Sequence, residues 1–149
     1  MGLNVTYSEF AFHADTYPVA VELRRKVLRA PLGLEWEPNA FAAEDRAIHF
    51  GAFVDGKLVA TVILKPVEPQ MIKMRQFAVA PEFQAKGIGS ELLKQAEKTA
   101  HKLGYVLIFA HARESALPFY LRHGYVVSGD PFTEVTVTHY YISKRLYTA

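Results

Sequence analysis

Cysteine is absent from this 149-residue sequence, and an excess of charge of either sign is lacking as well. Without cysteine the chain can form no disulfide, no thiolate metal site and no cysteine nucleophile. The 17 lysines and arginines nearly balance 15 aspartates and glutamates, so no general attraction draws the chain to nucleic acid or to an anionic membrane. We therefore expect neither partner, and any anion site must be local.

Long apolar runs, repeats and flexible linkers are also missing. No run approaches the roughly 18 apolar residues that span a bilayer, and residues 1–12 lack the pattern of a signal peptide. The six histidines show no H-x-x-x-H spacing or recognised ligand cluster, so no metal is expected. Half of the composition is apolar, which suits one core. The sequence thus predicts a single domain over residues 1–149, located in the cytoplasm.

The N-terminal part of the chain predicts a strand followed by a helix. Residues 3–12 favour a strand, and Asp15 can cap a helix that ends before Pro31 and Gly33. The helix carries apolar residues spaced four apart, namely Val19, Leu23 and Val27.

The next part predicts an irregular segment and a hairpin. The acidic stretch 34–46 is expected to be irregular or briefly helical and is a candidate wall of a pocket. Residues 48–54 and 57–64 are β-rich and are separated only by Asp55-Gly56. This pair accepts the positive φ angles of a type I′ turn, so the two runs are predicted to form a hairpin.

The strand that follows contains a change of phase. Ile72 and Met74 alternate with polar residues, but the next apolar positions, Phe77 and Val79, are shifted by one residue. A β-bulge near residues 75–76 explains the shift. Such a bulge bends the strand away from its neighbour and leaves backbone N–H and C=O groups free to bind an extended ligand.

After Pro81 a glycine-containing loop leads into a helix, and its sequence is Gln84-Ala85-Lys86-Gly87-Ile88-Gly89-Ser90. The first N–H groups of a helix lack intrahelical partners and carry partial positive charge, so an anion is stabilised there. Gly104 ends the helix, and residues 106–110 form an apolar run typical of a covered parallel strand. The predicted apolar face of the helix consists of Ile88, Leu92, Leu93, Ala96, Ala100 and Leu103.

The glycines alone do not identify the anion. A tight turn from strand to helix is an alternative explanation for them. A P-loop would require lysine before the serine, and a dinucleotide-binding fingerprint would require a third glycine near Leu92, so neither of these patterns is met.

Two motifs in order resemble the GNAT superfamily of N-acetyltransferases. The strand end Phe77-Ala78-Val79-Ala80-Pro81 and the following loop resemble the family's Q/R-x-x-G-x-G/A signature. Downstream, Ala116-Leu117-Pro118-Phe119-Tyr120-Leu121-Arg122-His123-Gly124-Tyr125 is similar to its A-x-x-F-Y-x-x-x-G-F/Y segment. The resemblance implies a mixed α/β sheet with a central bulged strand and a β-α-β cofactor-binding core. The expected chain order is β-α-(α)-β-β-β-α-β-α-β-β.

The resemblance also implies how a cofactor is used. Acetyl-CoA would lie between the bulged strand and the strand at residues 106–110, and an amine would attack its thioester directly, without a covalent enzyme intermediate. The Val79 N–H would polarise the thioester carbonyl, and the Tyr120 hydroxyl would protonate the departing thiolate. Arg113 occupies a position where the family often has an Asn that anchors CoA. The expectation here is instead that Arg113 pairs with a phosphate oxygen of CoA. The other implied cofactor contacts are Phe77, Ala78, Gln84, Ala85, Lys86, Gly87, Ile88, Gly89, Ser90 and Phe119.

The general base and the acceptor are left open. The bulged strand lacks the carboxylate that several family members use, and the remaining candidates are Glu44, Asp45, Glu134, His49, His111 and His139. The acceptor is a small-molecule or peptide amine. Acidic residues in 35–45 could attract a cationic one, but a solvated acidic loop is the favoured explanation of that stretch. A homodimer is also left open. The missing base favours a second hypothesis, a non-catalytic acyl-CoA-binding module, whereas Tyr120 argues for an enzyme.

Overall fold

The structure, a computed structural model that describes residues 3–146, is built on a seven-stranded sheet with the order β1-β2-β3-β4-β5-β7-β6. The strands are β1 (Val5–Phe10), β2 (Ile48–Val54), β3 (Lys57–Glu68), β4 (Met71–Val79), β5 (Leu107–Arg113), β6 (Val126–Glu134) and β7 (Val137–Arg145). The helices are α1 (Thr16–Leu28), α2 (Ile88–Lys102) and α3 (Leu117–Arg122). Short 3-10 turns lie at Ala30–Leu32, Glu44–Arg46, Pro81–Phe83 and Glu114–Ala116.

The expected mixed α/β fold and element order are confirmed, with the second helix of the order reduced to the 3-10 turn at Glu44–Arg46. Strand β4 pairs antiparallel with β3 and parallel with β5, and α2 forms the crossover between β4 and β5. No helix within residues 3–146 has both the length and the apolar content needed to cross a membrane. The single domain over residues 1–149 stays a prediction.

The hairpin and the bulge are both present where the sequence predicts them. Asp55 and Gly56 have φ angles of 51° and 76°, as a type I′ turn requires. In β4, Gln76 has a φ of 55°. The register with β3 passes from Thr61↔Ala78 to Ile63↔Arg75, so two residues of β4 lie opposite one residue of β3.

Strands β4 and β5 pair only over a short length. Residues 71–73 of β4 pair with residues 107–109 of β5, and beyond Lys73 the two strands have no further paired residues. The parallel strand is predicted at 106–110 and is found at Leu107–Arg113. The gap that opens between the two strands is the feature that positions the candidate site.

The core lies on both sides of β3, whose residues 59–64 are buried in succession because α1 and α2 each pack against this strand. On one side, α2 contributes residues that are 0–2% exposed: Ile88, Leu92, Leu93, Ala96 and Ala100. Leu103 was expected on the same face but is 57% exposed, because α2 ends at Lys102 and Leu103 is only its C-cap.

Helix α1 differs from its predicted pattern. Val19 is 52% exposed, and the buried side chains are instead Ala20, Leu23 and Arg24. Asp15 does stand at the N-cap, but its side chain makes no capping hydrogen bond. A periodicity of apolar residues could not identify this face, because its largest member is an arginine.

Candidate active site

Two adjoining cavities open at the gap between β4 and β5. The first, which we call the groove, has a volume of about 510 Å³ and lies against the loop before α2 and against α3. The second, which we call the chamber, has a volume of about 540 Å³ and lies between β4, β5, the β6–β7 turn and the segment after α1. Both volumes are typical of small-molecule sites. Residues shared by the two cavities are Leu28, Phe77, Arg113, Ala116 and Tyr120.

The loop before α2 exposes its backbone to the groove. Gly87 is the N-cap of α2, with a left-handed φ of 83°. The first intrahelical bond runs from the Glu91 N–H to the Gly87 carbonyl at 3.1 Å. The N–H groups of residues 88–90 therefore precede the first intrahelical donor, and together with the helix dipole they favour a negative charge at this end of α2.

The predicted cofactor residues are mostly placed together. Those that line the groove are Phe77, Val79, Gln84, Ala85, Gly87, Gly89, Ser90, Arg113, Phe119 and Tyr120. Three are not on its wall, because Ala78 is 1% exposed in the sheet, Ile88 is 2% exposed in the core, and the Lys86 side chain points to solvent. Six groove residues were not predicted as site residues, namely Val27, Leu28, Phe83, Ser115, Ala116 and Arg122. Phe83 and Ser115 border the two motifs, and Ala116 and Arg122 lie within the second one.

The end of β4 directs one backbone N–H into the gap. The Ala80 N–H donates to the Val59 carbonyl of β3 at 2.8 Å. Since successive backbone groups of a strand point to opposite sides, the Val79 N–H and C=O point toward the gap. The Gln84 side chain donates to the Val79 carbonyl at 2.9 Å, which fixes the loop to the strand and leaves the neighbouring N–H facing the groove.

Tyr120 lies where the two cavities meet. It is 7% exposed and is held edge-on by three aromatic rings, those of Phe77, Phe119 and Tyr125, at centroid distances of 6.2, 5.1 and 5.6 Å. No side-chain hydrogen bond within residues 3–146 engages its hydroxyl. Burial raises the pKa of Tyr120, so the phenol is neutral and keeps its proton available for donation.

Arg113 and Ser90 already have partners in the protein. Arg113 donates to the Leu28 carbonyl and so joins β5 to the end of α1. Burial, followed by the charge of Arg29, lowers the pKa of Arg113. The Ser90 hydroxyl lies 2.9 Å from Nε2 of His123, whose pKa is lowered chiefly by burial.

The structure separates the six candidate bases into two groups. Glu44 is 2% exposed and accepts two hydrogen bonds from Arg24, at 3.0 and 2.7 Å, and one from Tyr17. His49 is bound to the Glu44 carbonyl at 2.8 Å, and Asp45 is exposed on the surface. None of these three lines the chamber, whereas Glu134, His111 and His139 all do.

Glu134 connects the two chamber histidines. His111 Nδ1 lies 3.0 Å from Glu134 Oε1, and His139 Nε2 lies 3.7 Å from Glu134 Oε2. Because a carboxylate can only accept, His111 carries its proton on Nδ1 and presents an unprotonated Nε2 when neutral. Burial alone would raise the pKa of Glu134, but the His111 hydrogen bond and the charges of His111, His139 and Lys73 lower it.

The β6–β7 turn carries Glu134 into this position. Its two central residues, Val135 and Thr136, have φ angles of 49° and 63°. Left-handed backbone is rare for β-branched residues, so a tight turn could not be predicted here from the residue types. No group of three or more histidine or acidic side chains within residues 3–146 is arranged to hold a metal ion.

Comparisons with known proteins agree with this architecture. A family model described as the acetyltransferase (GNAT) family matches residues 13–125. An acyl-CoA N-acyltransferase from Pseudomonas aeruginosa has a TM-score of 0.78 at 18% identity, covering 96% of this chain and 99% of that one. A GNAT family acetyltransferase from Elizabethkingia anophelis, solved with acetyl-CoA bound, has a TM-score of 0.73 at 17% identity, covering 96% and 99%.

The ribosomal-protein-S18-alanine N-acetyltransferase from Escherichia coli is also similar in structure, with a TM-score of 0.77 at 20% identity, covering 98% of this chain and 96% of that chain. At such identities the structural likeness concerns the fold. The match to the family model shows that the chain is a member of that family.

Proposed function

This chain belongs to the GNAT family of acetyltransferases and is an acyltransferase, and we propose that it moves the acetyl group of acetyl-CoA to a primary amine by direct attack on the thioester. One observation carries the proposal: the Val79 N–H faces the groove, and Tyr120 lies on the wall that the groove shares with the chamber. The cofactor would enter from the groove side and the amine from the chamber side.

In this proposal the groove holds CoA. The N–H groups at the start of α2 donate hydrogen bonds to the pyrophosphate oxygens, and the pantetheine arm lies in the gap beside β4 as an added strand. The thioester carbonyl then lies near the Val79 N–H, which stabilises the negative charge that develops on the carbonyl oxygen during attack. Arg122 on the groove wall offers a further cation to the phosphates.

The reaction forms an N–C bond and breaks the C–S bond. The amine loses one proton, which His111 Nε2 accepts directly or through a water, with Glu134 holding the ring by its other nitrogen. The departing thiolate takes one proton from the Tyr120 hydroxyl. Because the chamber supplies a base on β5, the absence of a carboxylate on β4 no longer favours a non-catalytic module.

Two measurements test the function. Calorimetry with acetyl-CoA measures binding, and thiol release across a panel of primary amines, with acetylated products confirmed by mass spectrometry, measures turnover. We expect both binding and turnover. Tight binding with no turnover for any amine would instead identify a module that binds acyl-CoA without catalysis, and no binding would remove the proposal altogether.

The base is tested by His111→Gln. We expect kcat to fall roughly 10²-fold near neutral pH and the deficit to shrink as pH rises, because solvent then supplies the unprotonated amine. His13→Gln, at an exposed position before α1, is the matched control and should behave as wild type. A pH-independent deficit in His111→Gln would show that the side chain does not accept the proton.

A further inference from the structure

The chamber wall carries more cationic than anionic side chains. Its cations are Arg29, Lys73, Arg75 and Arg113, and its carboxylates are Glu35, Glu37 and Glu134. The two histidines add positive charge whenever they are protonated. The chamber therefore differs from the acidic pocket that the sequence of residues 35–45 suggested.

Two of the four carboxylates of the acidic segment are neutralised by arginines of α1 and its C-cap. Glu37 accepts two hydrogen bonds from Arg29, at 3.0 and 2.8 Å, and Glu44 is paired in the same two-pronged way with Arg24. These carboxylates are engaged within the protein and have little charge left to attract a cationic amine. Glu35 lines the chamber but is exposed to solvent, where its charge is screened.

Lys73 and Arg75 are different, because neither cation has a carboxylate at ion-pair distance among the described residues, although the charge of Lys73 still acts on Glu134. They lie two residues apart on β4, so they project from the same face of the strand, and both line the chamber. Both are partly buried, and neither forms an ion pair with any residue from 3 to 146. Two neighbouring, partly desolvated cations repel each other and are stabilised by an anion between them.

We propose that the acceptor is a small amine that also carries an anionic group, a carboxylate or a phosphate, and that Lys73 and Arg75 bind this group. The inference rests on the acetyltransferase function proposed above. The lysine ammonium and the arginine guanidinium can together bind either kind of anion. The planar guanidinium donates two parallel hydrogen bonds, and the ammonium is a compact charge on a flexible side chain. The anion would lie toward the paired end of β4 and β5, and the amine would point toward Tyr120.

The positive chamber also assists the chemistry. The excess of cations on the chamber wall lowers the pKa of an acceptor that enters as an ammonium, so more of it loses that proton to solvent and becomes the neutral amine that attacks. An acceptor with a second positive charge is disfavoured for the same reason. An anionic group on the acceptor pairs with Lys73 and Arg75 and so offsets part of the repulsion that the wall exerts on the amine.

The experiment compares matched amines. Each amine with a carboxylate or a phosphate is measured against its uncharged counterpart, for example a series of ω-amino acids and aminoalkyl phosphates against alkylamines of equal length. We expect kcat/KM to be roughly 10- to 100-fold higher for the anionic member of the best pair. Preference for carboxylates alone or for phosphates alone would support the proposal and would identify the anion.

Variants then locate the anion site. Lys73→Gln and Arg75→Gln should each reduce the ratio between anionic and uncharged acceptors by about tenfold, through a higher KM for the anionic acceptor, with the KM for acetyl-CoA unchanged. Lys57→Gln, at an exposed position on β3, is the control and should retain the ratio.

The outcomes separate the two proposals. Efficient transfer to uncharged or dicationic amines, or a preference that survives both substitutions, would overturn the anion site and leave the acetyltransferase function standing. Absence of transfer to every amine, despite folded protein and bound acetyl-CoA, would overturn both.

Discussion

Tyr120 and Tyr125 allow a sharp test because they differ in what their hydroxyls contact. Their rings pack against each other at 5.6 Å, and both residues are buried, at 7% and 2% exposure. The Tyr125 hydroxyl donates to Glu97 at 2.8 Å, whereas that of Tyr120 has no side-chain partner in the described chain and faces the two cavities. Phenylalanine at either position keeps the ring and removes only the hydroxyl.

Tyr125→Phe is expected to lower the thermal stability, whereas Tyr120→Phe is expected to leave it nearly unchanged. Tyr125→Phe loses a hydrogen bond to a carboxylate, which contributes about 1.5–3 kcal/mol, and the lower end applies because Lys144 still binds Glu97 at 3.0 Å. At about 2–4 °C per kcal/mol for a chain of this size, Tm should fall by about 3–6 °C. Tyr120→Phe loses no such bond, so Tm should stay within about 1 °C.

Turnover should fall in Tyr120→Phe and stay unchanged in Tyr125→Phe. Without its acid, Tyr120→Phe should lose roughly 10²-fold or more in kcat, which corresponds to about 2.7 kcal/mol of barrier, while CoA affinity stays close to wild type. Tyr125→Phe should keep wild-type kcat below its melting range. Thiol release, calorimetry and thermal melts on both variants provide the three readouts. Wild-type turnover in Tyr120→Phe would refute the acid role, and equal losses in both variants would point to ring packing instead.

Three further outcomes are expected. Gly87→Asp should abolish acetyl-CoA binding, because aspartate places a negative charge at the start of α2. Gly87→Asn tolerates the same left-handed φ without that charge and should retain most of the binding. Equal affinities of the two variants would contradict the phosphate site. Burial alone would raise the pKa of Glu44, but the hydrogen bonds from Arg24 and Tyr17 hold it below 4.5. The ionised carboxylate therefore stabilises the folded state. This stabilisation is present above the pKa of Glu44 in the unfolded chain and is lost as pH falls through its pKa in the folded protein. Glu44→Gln should therefore cost about 3–5 kcal/mol near neutral pH and flatten the acid limb of a denaturation series. Finally, burial places the pKa of Tyr120 above 10.0, so kcat should show no alkaline decline from this group below about pH 10, and a decline that disappears in Tyr120→Phe would contradict its placement.

The features predicted correctly from the sequence are those that local rules determine. The Asp55-Gly56 turn follows from two adjacent residues, and the bulge at Gln76 follows from a phase shift within one strand. The start of α2 follows from the glycine-containing loop, whose Gly87 stands at the N-cap. Each of these can be recognised without knowing what lies across the fold.

The features that were missed depend on partners far apart in the chain. Arg24 and Glu44 are 20 residues apart, and neither residue alone indicates that both are buried in one ion pair. His111 and Glu134 are 23 residues apart and lie on strands that β7 separates in the sheet. Composition could therefore suggest an acidic acceptor pocket at 35–45, while the fold pairs two of the four acids there with arginines and brings cations from β4 into the chamber instead.

A single irregularity of the backbone relates the two halves of the candidate site. The parallel pairing of β4 and β5 stops at Lys73, and the bulge at Gln76 then bends β4 away from its neighbour. That divergence leaves the Val79 N–H facing the groove, and Lys73 and Arg75 lie just before it on β4, where both line the chamber. Had β4 continued to pair with β5, the ladder would occupy this N–H and close the space between the strands. A change that straightens β4, such as deletion of Gln76, should therefore abolish acetyl-CoA binding and acceptor selectivity together.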